Sequence, residues 1–145
     1  MPSKSQSVAK SDKKFKGPRI GAHTPTSGGM AKRSLGYAET IKAEVIQVFA
    51  SNPRGWAMPE PNRAADEDFR TKAEAMDITT YVHAPFLINL GSPTEGTYKN
   101  SLASTAYSLQ RGKDIGALGV VIHTGSAVDE AHVPNAWKQI HEGMM

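Results

Sequence analysis

The sequence predicts a parallel α/β fold, and three observations carry that prediction. Short β-branched runs alternate with amphipathic helical stretches in the order β-α-β-α-β-α-β-α. The strand runs are apolar at successive positions, as in strands covered on both faces. Long polar Pro/Gly-bearing loops follow the strands, whereas the helix-to-strand turns are short. In such folds the working face lies at the strand C-termini.

The first strand is expected over Arg19–His23, before Thr24–Gly29. A helix over Met30–Lys42 follows, with Leu35, Ala38 and Ile41 on one face and Ser27 as candidate cap. Glu44–Phe49 is the second strand, and Ala50–Asn62 the loop after it. The second helix, Asp66–Met76, aligns Phe69, Ala73 and Met76. The turn at Met76-Asp77 leads to the third strand, Ile78–His83, and then to the loop 84–97. A helix over Glu95–Lys113 is expected to bury Tyr98, Leu102, Ala106 and Leu109. Gly116-Ala117-Leu118 turns into the fourth strand, Gly119–His123. The last helix, Val133–Met144, carries Val133, Trp137, Ile140 and Met144 on one side.

The 145 residues suit one ordinary domain, and no apolar run approaches the ~18 residues of a membrane span. The absence of cysteine excludes disulfides, thiolate metal sites and a Cys nucleophile. It also fits a reducing compartment. The polar start has no signal-peptide core, so a cytoplasmic location is expected.

Charge is unevenly placed. Residues 1–20 hold Lys4, Lys10, Lys13, Lys14, Lys16 and Arg19 against Asp12, or +5 of a net +3. The rest is therefore −2. Residues 1–18 read as a disordered basic tail, serving solubility or attracting phosphate.

Three histidines end strand runs: His23, His83 and His123. Imidazoles at strand C-termini suit metal binding or proton shuttling, and the alternative for each is an ordinary loop hydrogen bond. His132 and His141 fall outside this pattern and read as surface residues. No GxSxG elbow, Walker loop or GxGxxG is present. Ser27-Gly28-Gly29 suits a phosphate at a helix start or, more simply, a tight turn. Asn52-Pro53-Arg54-Gly55-Trp56 combines donor, cation and aromatic, a mix suited to nucleic acid. The alternative is a Trp folded back onto the body of the protein.

Five blocks stand in order along the chain: Ile20-Gly21-Ala22-His23; Ser27-Gly28-Gly29-Met30; Gln47-Val48-Phe49 with Asn52–Trp56; His83-Ala84-Pro85-Phe86-Leu87-Ile88-Asn89-Leu90; and His123-Thr124-Gly125-Ser126. Taken together, they resemble endonuclease IV, the metal-dependent apurinic/apyrimidinic endonucleases. The block at 83–90 is the most specific. The resemblance implies a TIM barrel of which residues 19–145 form the N-terminal half, about four of eight βα units. It implies zinc, three ions in the family and at most a partial site here. His83 and His123 match metal ligands. Arg54, Phe86 and Leu87 match side chains that enter DNA at the flipped abasic nucleotide, and Phe86 replaces the Tyr of many members. His23 matches a recurrent residue that is not a ligand. No catalytic residue is assigned.

The implied substrate is double-stranded DNA with abasic sites, cleaved 5′ to the lesion in base-excision repair. The family's remaining ligands lie on later strands, so this chain by itself is expected to be inactive. The alternatives are a non-catalytic half-barrel that binds DNA or self-associates, and a metal-dependent sugar isomerase or epimerase relative. A half-barrel is also expected to need either a second copy or the missing C-terminal half.

Overall fold

The structure is a computed structural model that describes residues 17–145. The tail expected over 1–18 therefore lies outside the described residues except for its last two positions. The elements run β1 (Gly21–His23), a π-helical turn (Met30–Ser34) continuing into α1 (Leu35–Ile41), β2 (Val45–Phe49), α2 (Arg63–Ala75), β3 (Thr79–His83), α3 (Glu95–Asp114) and β4 (Gly119–Val121). A single 3₁₀ turn (Glu130–His132) then opens α4 (Val133–Met144). Four parallel strands form one sheet in the order β1-β2-β3-β4. Neighbouring strands are thus consecutive in sequence and linked by helical crossovers, the repeat of a (βα) barrel.

Alternation along the strands separates two faces of the sheet. Ile46, Val48, Thr80 and Val82 are buried against the helices. Val45, Gln47, Phe49, Thr79, Tyr81 and His83, pointing the other way, are only half-buried. The expectation of equal burial on both faces is corrected here: helices cover one side, and the concave side is lined by half-open residues. The principal core joins Leu35 and Ala38 of α1, Ile46 and Val48 of β2, Phe69 and Ala73 of α2, then Ile78, Val82 and Ile115. A smaller cluster of Ala84, Ile88 and Leu90 lies beneath the loop after β3, with Trp56, Leu102 and Ile140 against it. Trp56 is thus folded back onto the body.

The helix starts follow local chemistry, with one correction. Asn62 caps α2, its Oδ1 accepting from Ala65 N at 3.1 Å. The first helical segment instead begins at Gly29, whose φ of 96° suits glycine, and no side chain caps it. Ser27 therefore has no capping role. The Met30–Lys42 prediction spans two helical forms, ending at Lys42 in a left-handed conformation of φ 57°.

The buried faces of α3 and α4 also differ from expectation. α3 buries Ser101, Ser104, Thr105, Ser108 and Arg111, while Leu109 is 57% exposed. Small side chains let this helix lie close to the sheet: a Cβ at Gly112 would come within 3.3 Å of Val120. The hydroxyls bond inside the helix, Thr105 to Ser101 O and Ser108 to Ser104 O, both at 2.8 Å, so their burial is satisfied. Arg111 donates to both Asp66 oxygens at 2.6 and 2.7 Å, pinning α3 to α2. That carboxylate, together with Asp114, raises the Arg111 pKa. On α4 the expected stripe is largely uncovered, Trp137 being 71% exposed. Arg19, counted with the basic tail, bonds Asp77 and Thr79 at the opposite end of the sheet.

Candidate functional site

The strand C-termini bring one ring from each strand or its following loop into a single mouth. Phe49 and His83 are partners in register at the ends of β2 and β3. Their ring centroids lie 5.2 Å apart. His23 ends β1, with its ring 4.5 Å from Phe49 and 6.2 Å from His83. β4 stops at Val121, two residues short of the expected end, so His123 stands on the exposed loop. Its ring is nevertheless 5.2 Å from that of His83. Phe86 covers the cluster edge-on, 5.2 Å from both Phe49 and His83 and 6.1 Å from His123.

The tautomer of His83 follows from its surroundings. Its Nδ1 lies 2.6 Å from Ala84 O. A carbonyl only accepts, so Nδ1 carries a proton, and in the neutral imidazole the lone pair is then on Nε2. That arrangement orients a metal-ligating imidazole. His23 differs: burial, and then the nearby His83, lower its pKa, against the raising effect of a hydrogen bond that its ring donates to the Thr24 backbone. Outside the mouth, His132 is half-buried and bonds Gln139 at 2.8 Å, whereas His141 is exposed.

The predicted DNA-contacting residues meet beside the rings. Phe86 N donates to Pro53 O at 2.9 Å, joining the loop after β3 to the loop carrying Arg54. Arg54 is exposed, its backbone N held by Asn52 Oδ1 at 3.0 Å. Phe86 is 51% and Leu87 37% exposed, so both apolar side chains are open to a ligand beside the rings. Phe49 was not singled out from sequence as a site residue, although its place at the end of the second strand run was the available signal.

A zinc site takes about three protein ligands in addition to water. His83 and His123 can supply two neighbouring imidazoles. Among the described residues, no group of three or more His, Cys, Asp or Glu could hold a metal ion. The donor set thus fits part of a metal site and does not complete one.

Parallel βα units with histidine and phenylalanine rings gathered at the strand C-termini define a protein of the TIM-barrel class. The model of the xylose isomerase-like TIM barrel family matches residues 35–145, and the chain belongs to that family. Within it, the chain is 50% identical over 126 residues to a probable endonuclease 4 of Streptomyces coelicolor, covering 87% of this chain and 43% of the relative. A probable endonuclease 4 of Mycobacterium tuberculosis is 33% identical over 121 residues, 83% of this chain and 44% of the relative. The crystal structure of endonuclease IV from Thermus thermophilus superposes with a TM-score of 0.71 at 30% identity, covering 86% of this chain and 46% of that one. The chain spans less than half the length of these relatives. No helix among the described residues is long and apolar enough to cross a membrane.

Proposed function

We propose that this chain supplies the N-terminal part of the active face of a metal-dependent endonuclease acting at abasic sites in double-stranded DNA. The observation that carries the reading is the adjacency of the His83–His123 pair, 5.2 Å between centroids, to the exposed Phe86. Similarity to relatives named endonuclease 4 supports it over a sugar isomerase or epimerase.

His83 Nε2 and the ring of His123 would hold zinc, completed by ligands from further βα units. When bound, zinc supplies a Lewis acid and an activated water for phosphodiester hydrolysis. The residues of this chain bind and orient the DNA. Arg54 would contact a backbone phosphate. Phe86 and Leu87 would occupy the space an abasic nucleotide leaves, since a nucleotide without a base is cheap to extrude. The basic segment over 1–18 would add a salt-dependent attraction.

The free edges of β1 and β4 and the exposed side of α4, with Trp137 71% exposed, favour a second element of this reading. They are the surfaces that further βα units cover in a closed barrel, supplied by a C-terminal half or by a second copy. Sedimentation of the 145-residue chain as a well-folded monomer would rule out self-association as the source of its stability.

The test of function is binding of the chain to a duplex with one abasic analogue and to the same duplex intact. Preference for the lesion, lost in Arg54→Ala and Phe86→Ala, is expected, with no incision by this chain alone in zinc. Equal affinity for both duplexes overturns the DNA reading. Zinc titration that is unchanged by His83→Ala and His123→Ala overturns the metal assignment.

A further inference from the structure

We infer that Asn89 is a positioning residue: its side-chain carbonyl latches the loop after β4 to the loop after β3 and so sets the spacing of the His83 and His123 rings. Asn89 Oδ1 accepts from Gly91 N at 3.0 Å and from Ser126 N at 2.9 Å. The second bond spans 37 residues and joins the two mouth loops. Leu90 N, alongside it, donates to Thr124 O at 2.9 Å. His123 immediately precedes the tied segment 124–126.

Asn89 is itself anchored from behind. Its backbone N donates to Ser101 Oγ at 2.9 Å, and that hydroxyl donates to Thr97 O at 2.7 Å. Ser101 is fully buried in α3. A continuous chain of hydrogen bonds therefore runs from the helix layer through Asn89 to Ser126. The far side of the latch is shaped for it. Gly125 adopts φ +97°, and a Cβ there would overlap Asn89 Oδ1 and fall 2.6 Å from Asn89 Cα. His123–Ser126 are exposed, and these two loop-to-loop ties hold the segment that directly follows the His123 ring.

Both side-chain bonds use Oδ1 as acceptor. A carboxylate at position 89 keeps that acceptor, and a methyl group removes it. This separates latching from mere packing.

The test is NMR on the metal-free 145-residue chain, following the cross-peak between the His83 and His123 rings and the exchange rate of the Ser126 amide. Asn89→Ala is expected to abolish the cross-peak and to raise Ser126 exchange about tenfold, the scale of one net hydrogen bond. Asn89→Asp is expected to restore both. A merely structural role would lower thermal stability while leaving the ring pair intact in the folded chain. A folded Asn89→Ala chain with wild-type cross-peak and exchange overturns the inference, as does Asn89→Asp behaving like Asn89→Ala. Where Asn89→Ala does not fold, Gly125→Ala in the exposed loop carries the test: unchanged signals there overturn the latch. Any effect of the latch on metal binding rests on the function proposed above, but these readouts do not. Absent zinc binding with both NMR outcomes met would sink the metal reading and leave the latch standing.

Discussion

Val48 and Phe49 are consecutive residues of β2, yet the first is wholly buried under the helices and the second is half-open at the mouth. The same division runs through β3, between Val82 and His83. On the helix side, apolar burial and one buried ion pair complete the packing. On the mouth side, Phe49 and Phe86 meet His83 edge to face and His123 lies tilted against it. The contrast predicts that stability rests on one face and ligand chemistry, as proposed, on the other, and substitutions should separate the two.

The largest effect is expected at the centre of the helix side. Phe69 is completely buried in the principal core. Phe69→Ala should cost about 3–5 kcal/mol through lost burial and a residual cavity. Urea unfolding checks it. A cost under about 1 kcal/mol would show that α2 is not the main stabilising layer.

Asp66 comes next. Its removal leaves Arg111 buried with Asp114, 3.1 Å away, as its one charged partner among the described residues. Asp66→Ala should cost about 3 kcal/mol. The double variant Asp66→Leu with Arg111→Met should cost less than either single change, because no uncompensated charge remains. A double variant as unstable as the sum of the singles would contradict this account.

What could be read from the sequence follows the same division. Strand and helix order came through because short β-branched runs and 3.6-residue periodicity are local signals. The gathering of His23, His83 and His123 at one end came through because parallel strands all present their C-termini together. The burial of Ser101, Ser104, Thr105 and Ser108 did not, since an apolar-face rule picks Tyr98, Leu102, Ala106 and Leu109. Hydroxyls that bond within their own helix are cheap to bury where the sheet comes close, and that closeness is a tertiary fact. The Arg111–Asp66 pair was hidden for the same reason, its partners lying 45 residues apart. Phe49 was read as a strand residue because only strand register places it against His83.

A third expected effect has the opposite sign. Thr80 Oγ1 is buried on the helix side and has no hydrogen-bond partner among the described residues. Thr80→Val keeps the shape and removes the orphan hydroxyl. It should stabilise the chain by about 1 kcal/mol, read as a higher urea midpoint. Destabilisation instead would mean that a water reaches this face and that it is less dry than its neighbours Val48 and Val82.

The smallest stability effect belongs to the mouth. Phe86 is 51% exposed and holds its place mainly by edge contacts to Phe49 and His83. Its backbone bond to Pro53 O does not depend on the ring. Phe86→Ala should therefore change unfolding free energy by less than about 1 kcal/mol, the scale of such aromatic contacts. The same substitution should remove most of the preference for an abasic duplex. A large loss of stability would make Phe86 a structural lid over the imidazoles and would erase the division between the two faces at this position. Unchanged stability with unchanged lesion preference would leave the division intact and move DNA recognition to Arg54 and Leu87. Only the combination of a stable fold and a lost preference assigns the ring to ligand recognition, because no packing role produces that pair of results.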